Sequence, residues 1–281
     1  MDHFVQTNGI TLHYLDHPGD APTLVLLPGL TANAHAFDGI VQAGLSPRYR
    51  VVALDLRGRG LSDQPDGGYT MADHAADVLG LLHALGLERV VLGGHSFGGL
   101  LSMYLAAHCP ERVTKLILID AAAKLHPKTR ELLQPTLARL GKPVSSWAAY
   151  IAAIRQAPYL HGWWDAAIEG YYRADVQTNP DGSVQARSRP GTIAAAMEGA
   201  LIEPWAKLVT MIAQPTILFN ATGPYGALGA PALLPAANAR ATVAALANGL
   251  YVEVPGNHMT MLFGDGARHI VEHLSAFLNE S

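Results

Sequence analysis

The sequence predicts an α/β fold in which a doubly wound, mostly parallel sheet of eight strands carries an inserted helical cap. Short apolar runs bounded by turn residues recur along the chain, and helical patterns lie between most of them. Continuous apolar strands are typical of a parallel sheet that helices cover on both faces. About ninety residues in the middle of the chain break this alternation, and this break predicts the insertion.

The N-terminus is predicted to form a β-hairpin. Two alternating segments, residues 3–7 and 10–16, flank Asn8 and Gly9. Asn-Gly is the strongest short hairpin signal because both residues tolerate a positive φ angle. An antiparallel hairpin is therefore expected to precede the alternating strands and helices.

Apolar runs predict the inner strands at residues 23–27, 50–54, 89–92, 115–119, 215–219 and 250–254. Helices are predicted between several of these strands. The helix over residues 70–86 begins with a capping box of Thr70 and Asp73 and places its apolar residues on one face. Further helices are predicted over residues 95–109 and 265–279.

The interruption divides the chain into a core of residues 1–120 and 213–281 and a cap of residues 121–212. Helices are predicted in the cap over residues 127–140, 145–156, 163–174 and 191–212. The Asn-Pro-Asp-Gly sequence at 179–182 marks a turn between two of these helices. Open α/β folds bind ligands beyond the C-terminal edge of the sheet, so the cap is expected to lie over that edge.

Aromatic side chains concentrate in the cap, which holds all four tryptophans of the chain. Apolar, aromatic walls are typical of small-molecule pockets. We therefore expect part of this set to contact the substrate, while the rest holds the cap together by packing. The candidates for substrate binding are Trp147, Trp163, Trp164, Tyr171 and Tyr172.

Composition and charge exclude several classes of protein. A chain of 281 residues that is 49% hydrophobic is not intrinsically disordered. The net charge of -4 argues against nucleic-acid partners and anionic membranes, which select basic surfaces. The one cysteine, Cys109, excludes an internal disulfide. The sequence shows neither a membrane-spanning apolar run nor a signal-peptide pattern, so a cytoplasmic location is expected. The sequence does not indicate the oligomeric state.

A nucleophile elbow of the G-x-S-x-G type is predicted at Gly94-His95-Ser96-Phe97-Gly98, between a predicted strand and a predicted helix. At such a strained turn, the residues two before and two after the serine must be nearly free of side chain. The next backbone N–H and the helix N-terminus then face a developing negative charge. Ser96 is therefore the predicted nucleophile, and a chance Gly/Ser turn is the alternative.

A serine nucleophile needs a base, and His258 is placed to be one. It follows the last predicted strand in the sequence Pro255-Gly256-Asn257-His258. A loop after that strand lies at the same sheet edge as Ser96. We therefore expect His258 to accept the Ser96 proton and later to protonate the leaving group. Position, rather than residue type, distinguishes His258 among 13 histidines.

These stretches resemble the α/β-hydrolase superfamily, and the resemblance covers nearly the whole chain. It rests also on Leu27-Pro28-Gly29-Leu30 and on the LDLRGRGLS sequence at residues 54–62. The resemblance implies the α/β-hydrolase fold, a Ser–His–acid triad and an oxyanion hole of two backbone N–H groups. By position, these N–H groups are those of Leu30 and Phe97. Family members often have His where Pro28 stands, and this departure leaves the Leu30 N–H available.

The triad acid departs from the pattern of most family members, which carry Asp or Glu after the seventh strand. Here residues 219–226 contain no carboxylate. Asp120 ends the strand predicted at 115–119, and some members, haloalkane dehalogenases among them, place the acid there. Asp120 is therefore the expected acid and Glu203, at the end of the insertion, is the second choice. The alternative for Asp120 is a structural role in capping the following segment.

Cofactors and metals are not expected. Residues 269–273 fit the H-x-x-E-H metal-binding pattern, but they lie on the last predicted helix with little chain left for another ligand. No P-loop or G-x-G-x-x-G sequence follows a strand, so no nucleotide cofactor is implied. Asp55 and Arg57 are expected to tie their loop down by charged hydrogen bonds.

The sequence thus predicts a cofactor-free carboxylic ester hydrolase that cleaves small to medium apolar esters or lactones through an acyl-enzyme. Serine at the elbow argues against dehalogenase or epoxide-hydrolase chemistry, which in this family needs a carboxylate nucleophile. Three alternatives stay open: a C–C bond hydrolase of ring-cleavage products, a perhydrolase, and a ligand-binding receptor with the hydrolase fold. The presence of both Ser96 and His258 counts against the receptor.

Overall fold

A computed structural model of the chain describes residues 1–226 and 229–279. The strands in this part of the chain are β1 Asp2–Thr7, β2 Ile10–His17, β3 Asp20–Leu27, β4 Tyr49–Leu54, β5 Val90–His95, β6 Val113–Ile119, β7 Val176–Thr178, β8 Val184–Ala186, β9 Thr216–Ala221 and β10 Gly249–Val254. One sheet has the strand order β1-β2-β4-β3-β5-β6-β9-β10. Strand β2 is antiparallel to β1 and β4, and all other neighbours in this sheet are parallel. The predicted sheet of eight mostly parallel strands is confirmed.

Helices fill the connections between these strands. In the described residues they are α1 Asp38–Ile40, α2 Ser46–Arg48, α3 Met71–Ala84, α4 Phe97–His108, α5 Thr129–Leu137, α6 Trp147–Arg155, α7 Ala166–Asp175, α8 Pro190–Leu201, α9 Trp205–Leu208, α10 Ala236–Ala245 and α11 Gly264–Asn279. None of them combines the length and apolar character that crossing a membrane requires.

Alternate residues of the inner strands enter two apolar layers, one on each face of the sheet. Leu24 and Leu26 of β3 pack in the layer that contains α11, whereas Val25 and Leu27 pack in the layer that contains α3 and α4. All four side chains are at most 1% exposed. This burial on both faces explains why the inner strands appear in the sequence as continuous apolar runs.

Local sequence signals fix the ends of several elements. Asn8 and Gly9, between β1 and β2, have φ angles of 48° and 75°, as the hairpin prediction requires. At the start of α3, the Asp73 N–H donates to Thr70 Oγ1 at 3.2 Å, and the Thr70 N–H donates to the Asp73 carboxylate at 2.9 Å. The predicted capping box is therefore present and defines the first turn of α3.

Residues 121–212, the predicted cap, contribute no strand to the main sheet. Helices α5, α6 and α7 correspond to three of the four predicted cap helices, with shorter bounds. The fourth prediction, one helix over 191–212, is wrong, because the chain leaves the helical path before Pro204 and forms α8 and then α9. The turn at 179–182 joins the hairpin strands β7 and β8 rather than two helices. The division into core and cap domains stays a prediction.

Candidate active site

The carboxyl ends of the parallel strands bring three predicted residues together. Ser96 follows β5, Asp120 follows the neighbouring β6, and His258 lies in the loop after β10, which is separated from β6 by β9. Ser96 and His258 line one cavity, which we call the catalytic cavity. A smaller adjoining recess is lined by all three residues. The sheet thus places a hydroxyl, an imidazole and a carboxylate at one edge.

Ser96 occupies a strained turn between β5 and α4. Its φ angle of 54° and ψ angle of -116° lie where non-glycine residues are rare. A Cβ on Gly94 would collide with the main chain of Gly98, and a Cβ on Gly98 would collide with the main chain of Leu27. The close approach of these backbones is therefore the reason why glycine is needed on both sides of Ser96.

His258 and Asp120 form a short hydrogen bond. His258 Nδ1 lies 2.6 Å from Asp120 Oδ2, and the two residues are only 6% and 4% exposed. Because the partner of Nδ1 is a carboxylate oxygen, Nδ1 carries the hydrogen and Nε2 is left as the basic nitrogen. Among the described non-glycine residues, only Ser96, Asp120 and Asn8 of the hairpin turn have a positive φ angle. Strain of this kind concentrates at functional sites.

The second oxygen of Asp120 is held by β9. Asp120 Oδ1 accepts from the Ala221 N–H at 3.0 Å and from Asn220 Nδ2 at 2.9 Å. Asn220 is fully buried, and its own Oδ1 accepts from the Tyr251 hydroxyl at 3.0 Å. The carboxylate is therefore fixed from two sides, by His258 and by β9. The sequence analysis did not identify Asn220 as a partner of the triad acid.

Glu203, the second choice for the acid, lies between α8 and α9. It is not among the described residues that line the catalytic cavity, and it makes no hydrogen bond with His258. The geometry therefore places Asp120, and not Glu203, beside the predicted base.

The two backbone N–H groups that are predicted to form an oxyanion hole are those of Leu30 and Phe97. Leu30 lines the catalytic cavity, and Phe97 directly follows Ser96 as the first residue of α4. Neither N–H donates to an acceptor in the described part of the chain. Both N–H groups are therefore unused donors in the described part of the chain, and the Phe97 N–H lies at the N-terminus of α4, where the helix dipole favours negative charge.

Arg59 supports both of these residues, a role that the sequence analysis did not predict. Its side chain is completely buried, and its Nε donates to the Leu30 carbonyl oxygen at 2.9 Å. The guanidinium lies 5.2 Å from the centroid of the Phe97 ring. Burial lowers the pKa of Arg59 to about 9. The cation is nevertheless charged at neutral pH and contacts the carbonyl group of Leu30 and the ring of Phe97.

Two neighbours of Arg59 have the structural role expected for them. Asp55 accepts from the Ala34 N–H at 2.7 Å and from the Leu61 N–H at 2.8 Å. Arg57 donates through Nε to Asp77 at 2.6 Å. These charged hydrogen bonds tie the loop after β4 to its surroundings.

His95 anchors the loop that carries His258. Its Nε2 lies 2.8 Å from the His258 carbonyl oxygen, so Nε2 carries the hydrogen and donates it. Burial, and then the proximity of His258, keep the pKa of His95 well below its ordinary value. His95 is therefore a neutral positioning residue within the elbow sequence.

The catalytic cavity is small, about 60 Å³. Of the predicted substrate-binding residues, Tyr171 and Tyr172 line it, whereas Trp163 lines a neighbouring groove of about 740 Å³. Trp147 and Trp164 are not among the described lining residues of either space. The structure therefore brings two of the five candidates to the cavity that contains Ser96.

The two remaining tryptophans pack within the cap. Trp147 stacks against Tyr150 with ring centroids 5.8 Å apart, and Trp164 stacks against Tyr172 at 6.2 Å. The Arg155 guanidinium covers the Trp164 ring at 4.7 Å. Trp147 and Trp164 thus contact other side chains of the predicted cap, as expected for aromatic residues that hold the cap together by packing.

The H-x-x-E-H sequence lies on α11. The ligand atoms of His269, Glu272 and His273 all lie within 4.8 Å of one another, and Glu272 is exposed. His273 Nδ1 lies 2.9 Å from the His269 carbonyl oxygen. None of the three is among the described residues that line the catalytic cavity, so the triad geometry does not involve them.

Comparison with known proteins gives matches over most of the chain. A family model described as the alpha/beta hydrolase fold matches residues 22–265. A 2-(acetamidomethylene)succinate hydrolase from Mesorhizobium japonicum is 32% identical over 158 residues, which are 54% of this chain and only 56% of that relative's length. An N-formylmaleamate deformylase from Pseudomonas putida is 30% identical over 219 residues, which are 71% of this chain and 80% of the relative.

Solved structures show the same architecture. An E-2-(acetamidomethylene)succinate hydrolase has a TM-score of 0.84, with 22% identity and coverage of 100% of this chain and 99% of that chain. An enol-lactonase from Burkholderia xenovorans has a TM-score of 0.75, with 24% identity and coverage of 99% and 100%. At these identities the likeness shows the fold alone.

Proposed function

The chain belongs to the alpha/beta hydrolase family, and from this premise we propose that it is a serine hydrolase that cleaves carboxylic esters or lactones through an acyl-enzyme. Ser96 Oγ attacks the acyl carbonyl while His258 Nε2 takes the Ser96 proton. Asp120 holds the imidazole ring and stabilises its protonated form. His258 then protonates the leaving group, and its neutral ring activates the water that releases the acid.

The oxyanion of each tetrahedral intermediate is stabilised by the N–H groups of Leu30 and Phe97. Both groups lack an acceptor in the described part of the chain, so they need no reorganisation when charge develops. Arg59 adds a buried positive charge behind them. In enzymes with an oxyanion hole, removing one of its hydrogen-bond donors typically lowers kcat by about 10²- to 10³-fold.

The observation that carries the proposal is the 2.6 Å hydrogen bond between His258 and Asp120, beside a serine with a left-handed backbone. A base that is oriented by a third group and shares a cavity with the nucleophile is the arrangement that nucleophilic catalysis requires. A receptor that only binds its ligand does not need a buried carboxylate to orient an imidazole.

Amides are the second candidate substrate class, and the relatives favour them. Two relatives are named for an acetamido compound and for removal of a formyl group, whereas a structural neighbour is named an enol-lactonase. The same acyl-enzyme route serves esters, lactones and amides. An amine leaving group, however, depends more strongly on protonation by His258 before it departs.

Turnover of a substrate panel tests the proposal. Purified protein is assayed with 4-nitrophenyl esters, lactones and N-acyl amides, and is then treated with a serine-directed organophosphate. We expect turnover of at least one class and a mass addition at Ser96. The Ser96→Ala variant is expected to lose about 10⁴-fold or more in kcat and to keep its melting temperature.

The control is Ser145→Ala, which changes an exposed serine of the cap and is expected to keep full activity. Labelling at another residue, or full activity of Ser96→Ala, would contradict the assignment of the nucleophile. EDTA is expected to leave the rate unchanged because no step uses a metal. Inactivation by EDTA would instead indicate a required metal ion, for which His269, Glu272 and His273 are the candidate ligands.

A further inference from the structure

Six residues that line the catalytic cavity carry hydrogen-bond donors that the proposed mechanism does not use. Their side chains end in a guanidinium, four phenolic hydroxyls and a threonine hydroxyl. We call this set the donor wall: Thr136, Arg139, Tyr159, Tyr171, Tyr172 and Tyr225.

Arg139 has donors that the protein leaves unused. Its Nη1 donates to the carboxylate of Asp175 and, at 3.3 Å, to the Tyr150 hydroxyl. No residue in the described part of the chain accepts from Nε or Nη2. The Arg139 side chain keeps 14% of its surface exposed, whereas the Asp175 side chain keeps 3% and does not line the cavity. The cation of this ion pair, and not its anion, therefore borders the cavity.

Burial keeps three tyrosines of the donor wall protonated at neutral pH. Burial raises the pKa of Tyr171 and Tyr172 well above the ordinary value and raises that of Tyr225 to about 12. The Tyr159 and Tyr172 hydroxyl oxygens lie 3.3 Å apart, and the Tyr171 hydroxyl bonds no described residue. Protonated phenols beside a guanidinium therefore offer several donors to an acceptor such as a carboxylate.

We propose that Arg139 and the tyrosine hydroxyls of the donor wall form a carboxylate subsite, so that the preferred substrate is a small acyl compound with a carboxylate near its scissile bond. This inference rests on the proposed function, since the subsite lies in the cavity that contains Ser96. A guanidinium fork matches the two oxygens of a carboxylate and forms charge-assisted hydrogen bonds with them. The substrate class differs from the apolar one that the cap aromatics predict.

The subsite also predicts strong discrimination against neutral substrates. A site built to hydrogen-bond a polar group rejects an analogue that lacks this group, because its buried donors are then left unpaired. A purely apolar pocket discriminates much less between ligands that differ by one group. The cavity of about 60 Å³ further restricts the substrate to a short chain.

Monomethyl and dimethyl succinate form the matched pair of substrates, since they differ only in the free carboxylate. Methanol release at pH 7 gives kcat/KM for each. We expect a preference of at least about tenfold for monomethyl succinate, the lower limit for a specific charged contact. In the Arg139→Met/Asp175→Asn double variant, which leaves no unpaired buried carboxylate, this ratio is expected to fall to about one.

Two further variants separate the subsite from general effects on the cap. Arg139→Lys keeps the charge but loses the planar fork, so we expect an intermediate ratio. Arg130→Met is the matched control, because Arg130 lies on α5 in an exposed ion pair with Glu198 and should not change the ratio. Melting temperatures of all variants establish that each one is folded.

A binding measurement keeps the subsite testable without turnover. Ser96→Ala protein is titrated with each succinate ester by calorimetry, with and without the Arg139→Met/Asp175→Asn substitutions. We expect binding of monomethyl succinate that is stronger than binding of dimethyl succinate and that is lost when Arg139 is replaced. Equal binding of the two esters, or ester turnover with no carboxylate preference, overturns the subsite and leaves the proposed function intact. Selective binding without turnover of any acyl substrate overturns the proposed function and leaves the subsite intact.

Discussion

Asn220 donates through Nδ2 to Asp120 Oδ1 at 2.9 Å and, at the same time, accepts from the Tyr251 hydroxyl at 3.0 Å. Asn220 and Asp120 lie at the carboxyl ends of neighbouring strands, β9 and β6, and Tyr251 lies on β10. One chain of hydrogen bonds therefore connects Asp120, the proposed triad acid, to the strand that leads to His258. Such a buried network holds its members in a single arrangement when every polar group is satisfied.

Replacing Asn220 tests whether this network matters for catalysis. Asn220→Leu keeps the approximate volume but removes one hydrogen bond to Asp120, so the carboxylate is held less firmly. We expect kcat to fall about 10- to 100-fold, the range that corresponds to one hydrogen bond to a charged group. We also expect the acid limb of the pH profile of kcat/KM to move. Thr222→Val, which removes an exposed bond to Glu253, is the control and should leave both unchanged.

The position of the triad acid is tested by two isosteric substitutions. Asp120→Asn is expected to lower kcat about 10⁴-fold with little change in melting temperature, because His258 loses the partner that fixes its tautomer. Glu203→Gln is expected to lower kcat far less. Near-normal turnover of Asp120→Asn together with loss of activity in Glu203→Gln would place the acid on the cap.

Arg59→Met tests the support of the oxyanion donors. The substitution removes the hydrogen bond to the Leu30 carbonyl and the cation beside Phe97, while it keeps an unbranched apolar side chain in the core. We expect kcat to fall by up to about 10²-fold with little change in KM, since the donors act mainly in the transition state. Affinity for a boronic acid inhibitor, which resembles the tetrahedral intermediate, should fall in parallel. A change in KM alone would contradict this role.

Much of the fold was predictable because its signals are local. The β1–β2 turn depends on Asn8 and Gly9, and the start of α3 depends on Thr70 and Asp73, which lie three residues apart. The nucleophile elbow is likewise contained within five residues, and its glycines are required by backbone contacts near Ser96. The position of Asp120 followed from parallel strands that end at a common edge.

What the sequence did not reveal depends on contacts between distant residues or on weak local patterns. Asn220 lies 100 residues from Asp120 along the chain, and no local pattern connects them. Helix α10 was not predicted because it is rich in alanine and buries only Ala239 and Thr242, so it lacks an apolar stripe. The break between α8 and α9 had a local signal, Pro204, but the prediction continued one helix through it.

His74 makes the stability of the protein depend on pH. It is completely buried on α3, neither ring nitrogen has a hydrogen-bond partner in the described part of the chain, and its ring lies 5.2 Å from that of Phe97. Burial, and then the nearby cations of Arg59 and Arg57, hold the pKa of His74 well below its ordinary value of 6.5. The folded state therefore resists protonation of His74, whereas the unfolded state takes up a proton below about pH 6.5.

It follows that His74 lowers the free energy of unfolding as the pH falls below about 6.5, by up to about 1.4 kcal/mol per pH unit. His13 works in the opposite direction: burial disfavours its charged ring, but its partner Asp55 outweighs burial and raises the pKa of His13 in the folded state. The effect of His74 is therefore isolated by substitution. In His74→Leu, we expect the slope of the unfolding free energy against pH between 5 and 6.5 to decrease by about 1.4 kcal/mol per pH unit, the value for one proton. Urea unfolding at several pH values measures this slope. His83→Leu, at an exposed position of the same helix, is the control. An unchanged slope in His74→Leu would contradict the prediction.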